Sequence, residues 1–221
     1  MESVTQFYQT KYNFNNTLDN IHDYIPNYPT DIPTFGKNDR VLFLVRDFYD
    51  EYDNNSKFEE LYKSLIQEKV KPIFHNEKLI VQKTPNIRFH LPNCSNIGKR
   101  DTDPSSDIIG LHCDSEFGHP EEEVNFIYAI TDMYGTNTLY YEPQIYSNIE
   151  PQDYTNLKLN SGDIWHGKLN KLRHYNKINK TGKTRVSLDF RVVPFSKYNP
   201  SDNISATSKS KFAVGDYYVI I

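Results

Sequence analysis

Cysteine is nearly absent from this chain: Cys94 and Cys113 are the only two among 221 residues. Two thiols build no disulfide framework, and such sparse use points to a reduced, cytoplasmic setting. Long hydrophobic runs are missing as well. No stretch approaches the roughly 20 apolar residues that a membrane-crossing helix needs, and the N-terminus lacks a basic-then-apolar leader pattern. Neither sign of charge prevails. With Lys+Arg 25 against Asp+Glu 29 the formal net charge is −4, which offers no general attraction to nucleic acid or an acidic membrane surface. Much of the missing aliphatic content is replaced by 17 Tyr and 13 Phe. Their rings carry large apolar area, and a buried Tyr hydroxyl needs a partner, so many tyrosines are expected at the edge of the core.

The length suits one domain with a real core. Residues 1–40, with Pro26, Pro29 and Pro33, read as an irregular arm or short helix lying over that domain. Val41 to Val45 is a short apolar run compatible with a buried strand or the start of a helix. Phe58, Leu61, Tyr62, Leu65, Ile66 and Val70 recur at helical spacing, and Pro72 is expected to stop that helix. Strand patterns follow at Leu79–Val81, Ile87–Leu91, Glu123–Thr131, Thr138–Tyr141 and Thr184–Val193. In the last, Val186, Leu188, Phe190 and Val192 form one face; Arg185, Ser187, Asp189 and Arg191 form the other. A helix followed by many short strands predicts a mainly β fold with flanking helices, its barrel or sandwich core spanning about residues 75–195.

Chemistry enters at His112-Cys113-Asp114. On extended backbone, residues two apart project to one side, so an imidazole and a carboxylate can take neighbouring positions around a metal. Non-haem iron(II) oxygenases need two His and one carboxylate on one face of an octahedron. His174 is the candidate second imidazole, and Arg185 the cation behind it. Arg185 can pair with the far carboxylate of 2-oxoglutarate, with Ser187 adding a hydroxyl from the same strand face.

His112 to Pro120, Glu123-Val124-Asn125, Thr131 and Gly135 to Leu139, then His174-Tyr175-Asn176, Asn179 and Thr181 to Arg191, resemble a known family. It is the 2-oxoglutarate/iron(II) oxygenases of sugar and antibiotic gene clusters, the streptomycin-biosynthesis type, in the phytanoyl-CoA dioxygenase-like superfamily. The resemblance covers about residues 108–194; the first 80 residues carry none. It implies a double-stranded β-helix (jelly-roll, cupin-like) fold in a single 1–221 domain, with Fe(II), 2-oxoglutarate and O2 as metal and co-substrates. The implied reaction oxidises an unactivated C–H of a small polar metabolite, a sugar, aminocyclitol or amino acid derivative, releasing succinate and CO2. By the same resemblance His112, Asp114 and His174 are ligands and Arg185 the anchor. Tyr175 departs from the family, which usually has Gly there, and its ring is expected to narrow the pocket or touch substrate.

Several assignments compete. His166 is a rival third ligand, although His174 lies closer in sequence to Arg185. His119 either lines the pocket or caps a turn at Gly118-His119-Pro120. Asn125 either bonds the co-substrate from inside the barrel or satisfies buried backbone groups. Arg191 is an alternative anchor, or else pairs with Asp189 or lies at the surface. Arg88 and His90 either receive an anionic substrate or are solvated edge residues. The basic run Lys168, Lys171, Arg173, Lys177, Lys180 and Lys183 either steers anions or is a solvated loop. Two other function classes remain open: a cupin-type metal-dependent isomerase or hydrolase without 2-oxoglutarate, and a catalytically silent small-molecule-binding barrel. Retention of Asp114 argues against halogenation.

Overall fold

The computed structural model describes residues 2–25, 39–95, 108–145, 149–206 and 208–221. Pro26, Pro29 and Pro33 lie outside them. Among the described residues three α-helices precede the strands: α1 (Glu2–Tyr12), α2 (Asp39–Asn54) and α3 (Ser56–Leu65). The apolar run at Val41 is thus part of a helix. A π-turn at Ile66–Val70 and a 3-10 turn at Lys71–Phe74 continue α3. Pro72 sits in the first turn of that 3-10 segment, where its missing N–H costs nothing, so it changes the kind of helix rather than stopping the chain.

Ten strands follow among the described residues: β1 (Leu79–Gln82), β2 (Asn86–His90), β3 (Ile109–His112), β4 (Val124–Ala129), β5 (Leu139–Tyr141), β6 (Thr155–Asn156), β7 (Ile164–Gly167), β8 (His174–Asn176), β9 (Arg185–Pro194) and β10 (Tyr218–Ile220). They form a six-stranded sheet ordered β10-β1-β9-β4-β7, with β2 also on β9, and a four-stranded sheet ordered β3-β8-β5-β6. The named strands of both sheets pair antiparallel. The long β9 pairs β2 along its first half and β1 along its second, with β4 on its other side. The architecture is mainly β with helices.

The alternation along β9 decides what each face does. Val186, Leu188, Phe190 and Val192 join Phe126 and Tyr128 of β4 and bury against Phe48, Phe58 and Tyr62 of the helices. The N-terminal arm enters the same core through Tyr8, Leu18 and Ile21. Two buried tyrosines of this core find acceptors: Tyr8 donates to the Leu44 carbonyl at 2.6 Å and Tyr62 to the Gln82 carbonyl at 3.0 Å. The opposite face of the large sheet looks toward the small one. There Ile127 and Ala129 pack with Leu139 and Leu157, while β9 contributes Arg185, Ser187, Asp189 and Arg191. Three of these four polar residues are buried, Asp189 only partly. That face is an enclosed polar interior rather than a solvated surface.

Candidate metal centre

The two candidate imidazoles are brought together by strand pairing. His112, at the end of β3, and His174, at the start of β8, are register partners in the small sheet, and their ring centroids lie 4.3 Å apart. Gly110 makes this geometry accessible. Its φ of +69° is left-handed, a conformation glycine adopts without Cβ strain, and it falls where the β3–β8 register shifts. Asp114 follows in a 3-10 turn and is tied back by its N–H to the Leu169 carbonyl at 2.9 Å.

The donor atoms are sorted by hydrogen bonding. His112 Nδ1 contacts the Gly110 carbonyl at 2.5 Å, and His174 Nδ1 contacts the Leu172 carbonyl at 3.0 Å. A carbonyl only accepts, so each Nδ1 carries the proton and each Nε2 keeps its lone pair. Asp114 Oδ1 stands 3.5 Å from both Nε2 atoms. Its other oxygen, Oδ2, accepts from Asn125 Nδ2 at 2.6 Å and from Arg191 Nη2 at 2.9 Å. Among the described residues, His112, Asp114 and His174 are the one group of three whose ligand atoms all lie within 4.8 Å of one another. Metal–ligand bonds of about 2.1 Å place neighbouring ligand atoms about 3 Å apart, so the donors need only small adjustments to hold an ion. The set of two imidazoles and one carboxylate suits iron, and also zinc.

Burial works against charge at all three groups, with different results. At Asp114 burial favours the neutral acid, but Arg191 and the two imidazoles hold the carboxyl well below its ordinary range. At His174 burial prevails and lowers the imidazole to about 4, despite the charge of Asp114. At the more exposed His112, burial also lowers it, but the bonds to Asp114 and Gly110 win and the net direction is upward.

Arg185 is 2 % exposed, and its Nε and Nη2 have no hydrogen-bond partner among the described residues. Burial lowers its guanidinium to about 10, which still leaves it charged at neutral pH. Ser187, two residues on, donates to Asp189 Oδ1 at 3.3 Å.

The other singled-out residues fall elsewhere. Arg191 does not pair with Asp189 or reach the surface; it is 8 % exposed and bonded to Asp114. The partner of Asp189 is Arg88, at 2.9 Å. His90 is not a solvated edge residue, having no exposed surface; its ring contacts the carbonyls of Cys94 at 3.0 Å and Asn137 at 3.3 Å. Tyr175 does not crowd the donors. Strand alternation turns it to the far side of the small sheet, where it stacks on Tyr140 at 5.1 Å. His166 is exposed and its ring lies against Phe126, a residue of the helix-covered face. His119 is more than a turn cap: its Nδ1 bonds Glu123 at 2.8 Å, and its ring packs on Phe212. Much of the basic run is consumed structurally. Lys168 donates to three successive carbonyls, those of Glu121, Glu122 and Glu123. Lys171 pairs with Glu121, and Lys183 with Asp19.

Two features escaped the sequence reading. Glu123 is fully buried, accepting from Tyr218 as well as contacting His119; an acidic residue in the run Glu121-Glu122-Glu123 carries no signal of burial. Trp165, the chain's one tryptophan, lies over Gly167 and beside Tyr141 at 5.3 Å. The Trp-His-Gly sequence was the available hint.

No family model matches the chain. The streptomycin biosynthesis protein StrG of Streptomyces griseus is 29% identical over 167 residues, covering 76% of this chain and 72% of that protein. Among solved structures, HygX from Streptomyces hygroscopicus with nickel and 2-oxoglutarate bound aligns at 14% identity. That alignment covers 78% of this chain and 86% of HygX at a TM-score of 0.38. The nickel complex of the non-heme monooxygenase ThoJ aligns over 54% of this chain at 14% identity and a TM-score of 0.41, and the match spans only 46% of ThoJ. Among the described residues no helix is long and apolar enough to cross a membrane.

Proposed function

We propose that the chain is a 2-oxoglutarate- and iron(II)-dependent oxygenase in which His112, Asp114 and His174 hold the metal and Arg185 binds the far carboxylate of the co-substrate. One observation carries the reading: two Nε2 lone pairs and one carboxylate oxygen converge within 4.8 Å, each imidazole being oriented by a backbone carbonyl. Three such donors leave half an octahedron for a chelating keto acid and dioxygen. Iron, when bound, supplies the one-electron chemistry with dioxygen that attacks an unactivated C–H.

The chain's own residues supply position and charge. Arg185 offers two buried nitrogen atoms without a partner among the described residues, which a carboxylate can satisfy together. Ser187 lies on the same strand face and can add its hydroxyl. The strand orders of the two sheets support a double-stranded β-helix over about residues 75–195, within a single 1–221 domain that the N-terminal helices back. The StrG similarity supports a biosynthetic role. We take the substrate to be a small polar metabolite, a sugar, aminocyclitol or amino acid derivative, and neither nucleic acid nor a membrane. Cys94 and Cys113 form no disulfide among the described residues, which fits a reducing cytoplasm.

The test is anaerobic calorimetry of 2-oxoglutarate binding to iron-loaded protein, followed by succinate release in air with a panel of such metabolites. Binding by wild type, lost in Arg185→Ala, together with succinate formation, is the expected result. Failure of iron-loaded wild type to bind 2-oxoglutarate, or equal binding by Arg185→Ala, overturns the reading in favour of metal chemistry without the co-substrate.

A further inference from the structure

Asp114 is held by a fork that two adjacent strands of the large sheet deliver together. Asn125 of β4 and Arg191 of β9 are direct register partners. Both side chains project into the polar interior and end on the same atom, Asp114 Oδ2, at 2.6 and 2.9 Å. The carboxylate itself comes from the 3-10 turn that follows β3 of the other sheet, so the contact bridges the two layers. A carboxylate oxygen has two lone-pair sites, and here both sites of Oδ2 are occupied. Chelation of an ion through both oxygens would require one donor to leave. Oδ1, by contrast, is turned toward the two Nε2 atoms, 3.5 Å from each.

Arg191 is itself constrained. It has its aliphatic stem and head buried, and it lies within the field of a second carboxylate, Glu123, which has no exposed surface. Both oxygens of Glu123 are already engaged, one by Tyr218 and one by His119. With both oxygens so engaged, Glu123 is not available as a metal ligand in its own right. The C-terminal segment closes this arrangement, because Phe212 and Tyr217 pack on the His119 ring.

We propose that Asn125 and Arg191 are positioning residues that restrict Asp114 to one-oxygen coordination. The inference rests on the metal-site reading above and deepens it. Its consequence is a coordination position kept open: a two-oxygen carboxylate would occupy one of the three sites that the keto acid and dioxygen need.

The experiment uses full-length protein loaded with Co(II), whose visible ligand-field spectrum reports coordination number and which is stable in air. Wild type, Arg191→Met, Arg191→Lys and Asn125→Ala are titrated with Co(II), and folding is checked by circular dichroism. We expect Arg191→Met to lose roughly 10–100-fold in metal affinity and to show an altered Co(II) spectrum. Arg191→Lys, which keeps a donor and a charge, should return toward the wild-type spectrum, and Asn125→Ala should move in the same direction as Arg191→Met by less. A folded Arg191→Met with unaltered affinity and spectrum overturns the proposal. Should Arg191→Met fail to fold, Asn125→Ala decides it by the same readouts, an unaltered spectrum being the overturning result. Wild type that takes up no Co(II) defeats the metal site itself, and this inference with it, which separates the two failures.

Discussion

His90 and Arg185 stand opposite each other in the register of β2 and β9, an imidazole with no exposed surface beside a guanidinium that is 2 % exposed. Burial, followed by the charge of Arg185, lowers His90 to about 3. The interior between the sheets therefore resists a further positive charge at this end. Burial penalises charge of either sign, so only the charge of Arg185 favours an anion there.

Stability at acid pH should record His90. In the unfolded chain it takes a proton near pH 6.5, and in the folded chain only near pH 3. Between these values the unfolded state binds the extra proton, so folding stability falls as pH drops. The slope approaches about 1.4 kcal/mol per pH unit for this group. Urea unfolding at pH 7, 5.5 and 4.5 should show the decline, with a shallower slope in His90→Gln. Equal slopes for the two proteins would remove His90 as the cause; His174, lowered to about 4, contributes alongside it in both.

Arg185→Met should separate stability from binding. The wild-type side chain is buried with Nε and Nη2 unpartnered, a desolvation cost of about 1–3 kcal/mol. An apolar chain of similar length removes that cost. The melting temperature without co-substrate should stay level or rise by a few degrees, while 2-oxoglutarate binding to the metal-loaded protein is lost. A large drop in melting temperature would show that Arg185 is held by contacts of its own.

Gly167→Ala should be read in fluorescence. A Cβ at Gly167 would collide with the ring of Trp165, the nearest atoms being Cη2 and Cζ2. The ring must swing away from Gly167, changing its packing against Tyr141. Because the chain has one Trp, its emission maximum and intensity report that movement directly. The expected stability loss is about 1–3 kcal/mol. Unchanged emission would mean that the ring does not depend on the bare glycine.

Removal of residues 1–25 should abolish stable folding. The deleted segment supplies Val4, Tyr8, Phe14, Leu18, Ile21 and Ile25 to the main core. At about 1.5–3 kcal/mol for each buried side chain, the loss reaches the whole stability of an ordinary domain, about 5–15 kcal/mol. The arm also latches the start of β9: the Thr184 N–H donates to the Asp19 carbonyl at 2.8 Å, and the Thr184 hydroxyl meets His22 at 2.8 Å. Soluble truncated protein with a cooperative unfolding transition would show that the remaining chain folds without the arm.

Period-two alternation carried a great deal of this molecule in its sequence. It separated the two faces of β9 correctly, and it placed His112 and Asp114 on one side. It also contained the answer for Tyr175, since a residue next to His174 on a strand must point the opposite way; adjacency in sequence is not adjacency to the donors. The run at Val41 was ambiguous because a few apolar residues fit either a buried strand or a helix.

Local pattern determined which residues share a face, and so which side chains could act together. Tertiary structure decided what each face looks at. The polar side of β9 could have met water, but the second sheet covers it, and only that covering turns Arg191 from an expected surface or Asp189 partner into the clamp on Asp114. Likewise the acidic run around Glu123 does not mark it as buried: His119 is only four residues away, but Tyr218 and the strand carrying Arg191 arrive from distant parts of the chain. Alternation is a property of neighbouring residues; burial and charge pairing belong to the packing of layers, which no short window contains.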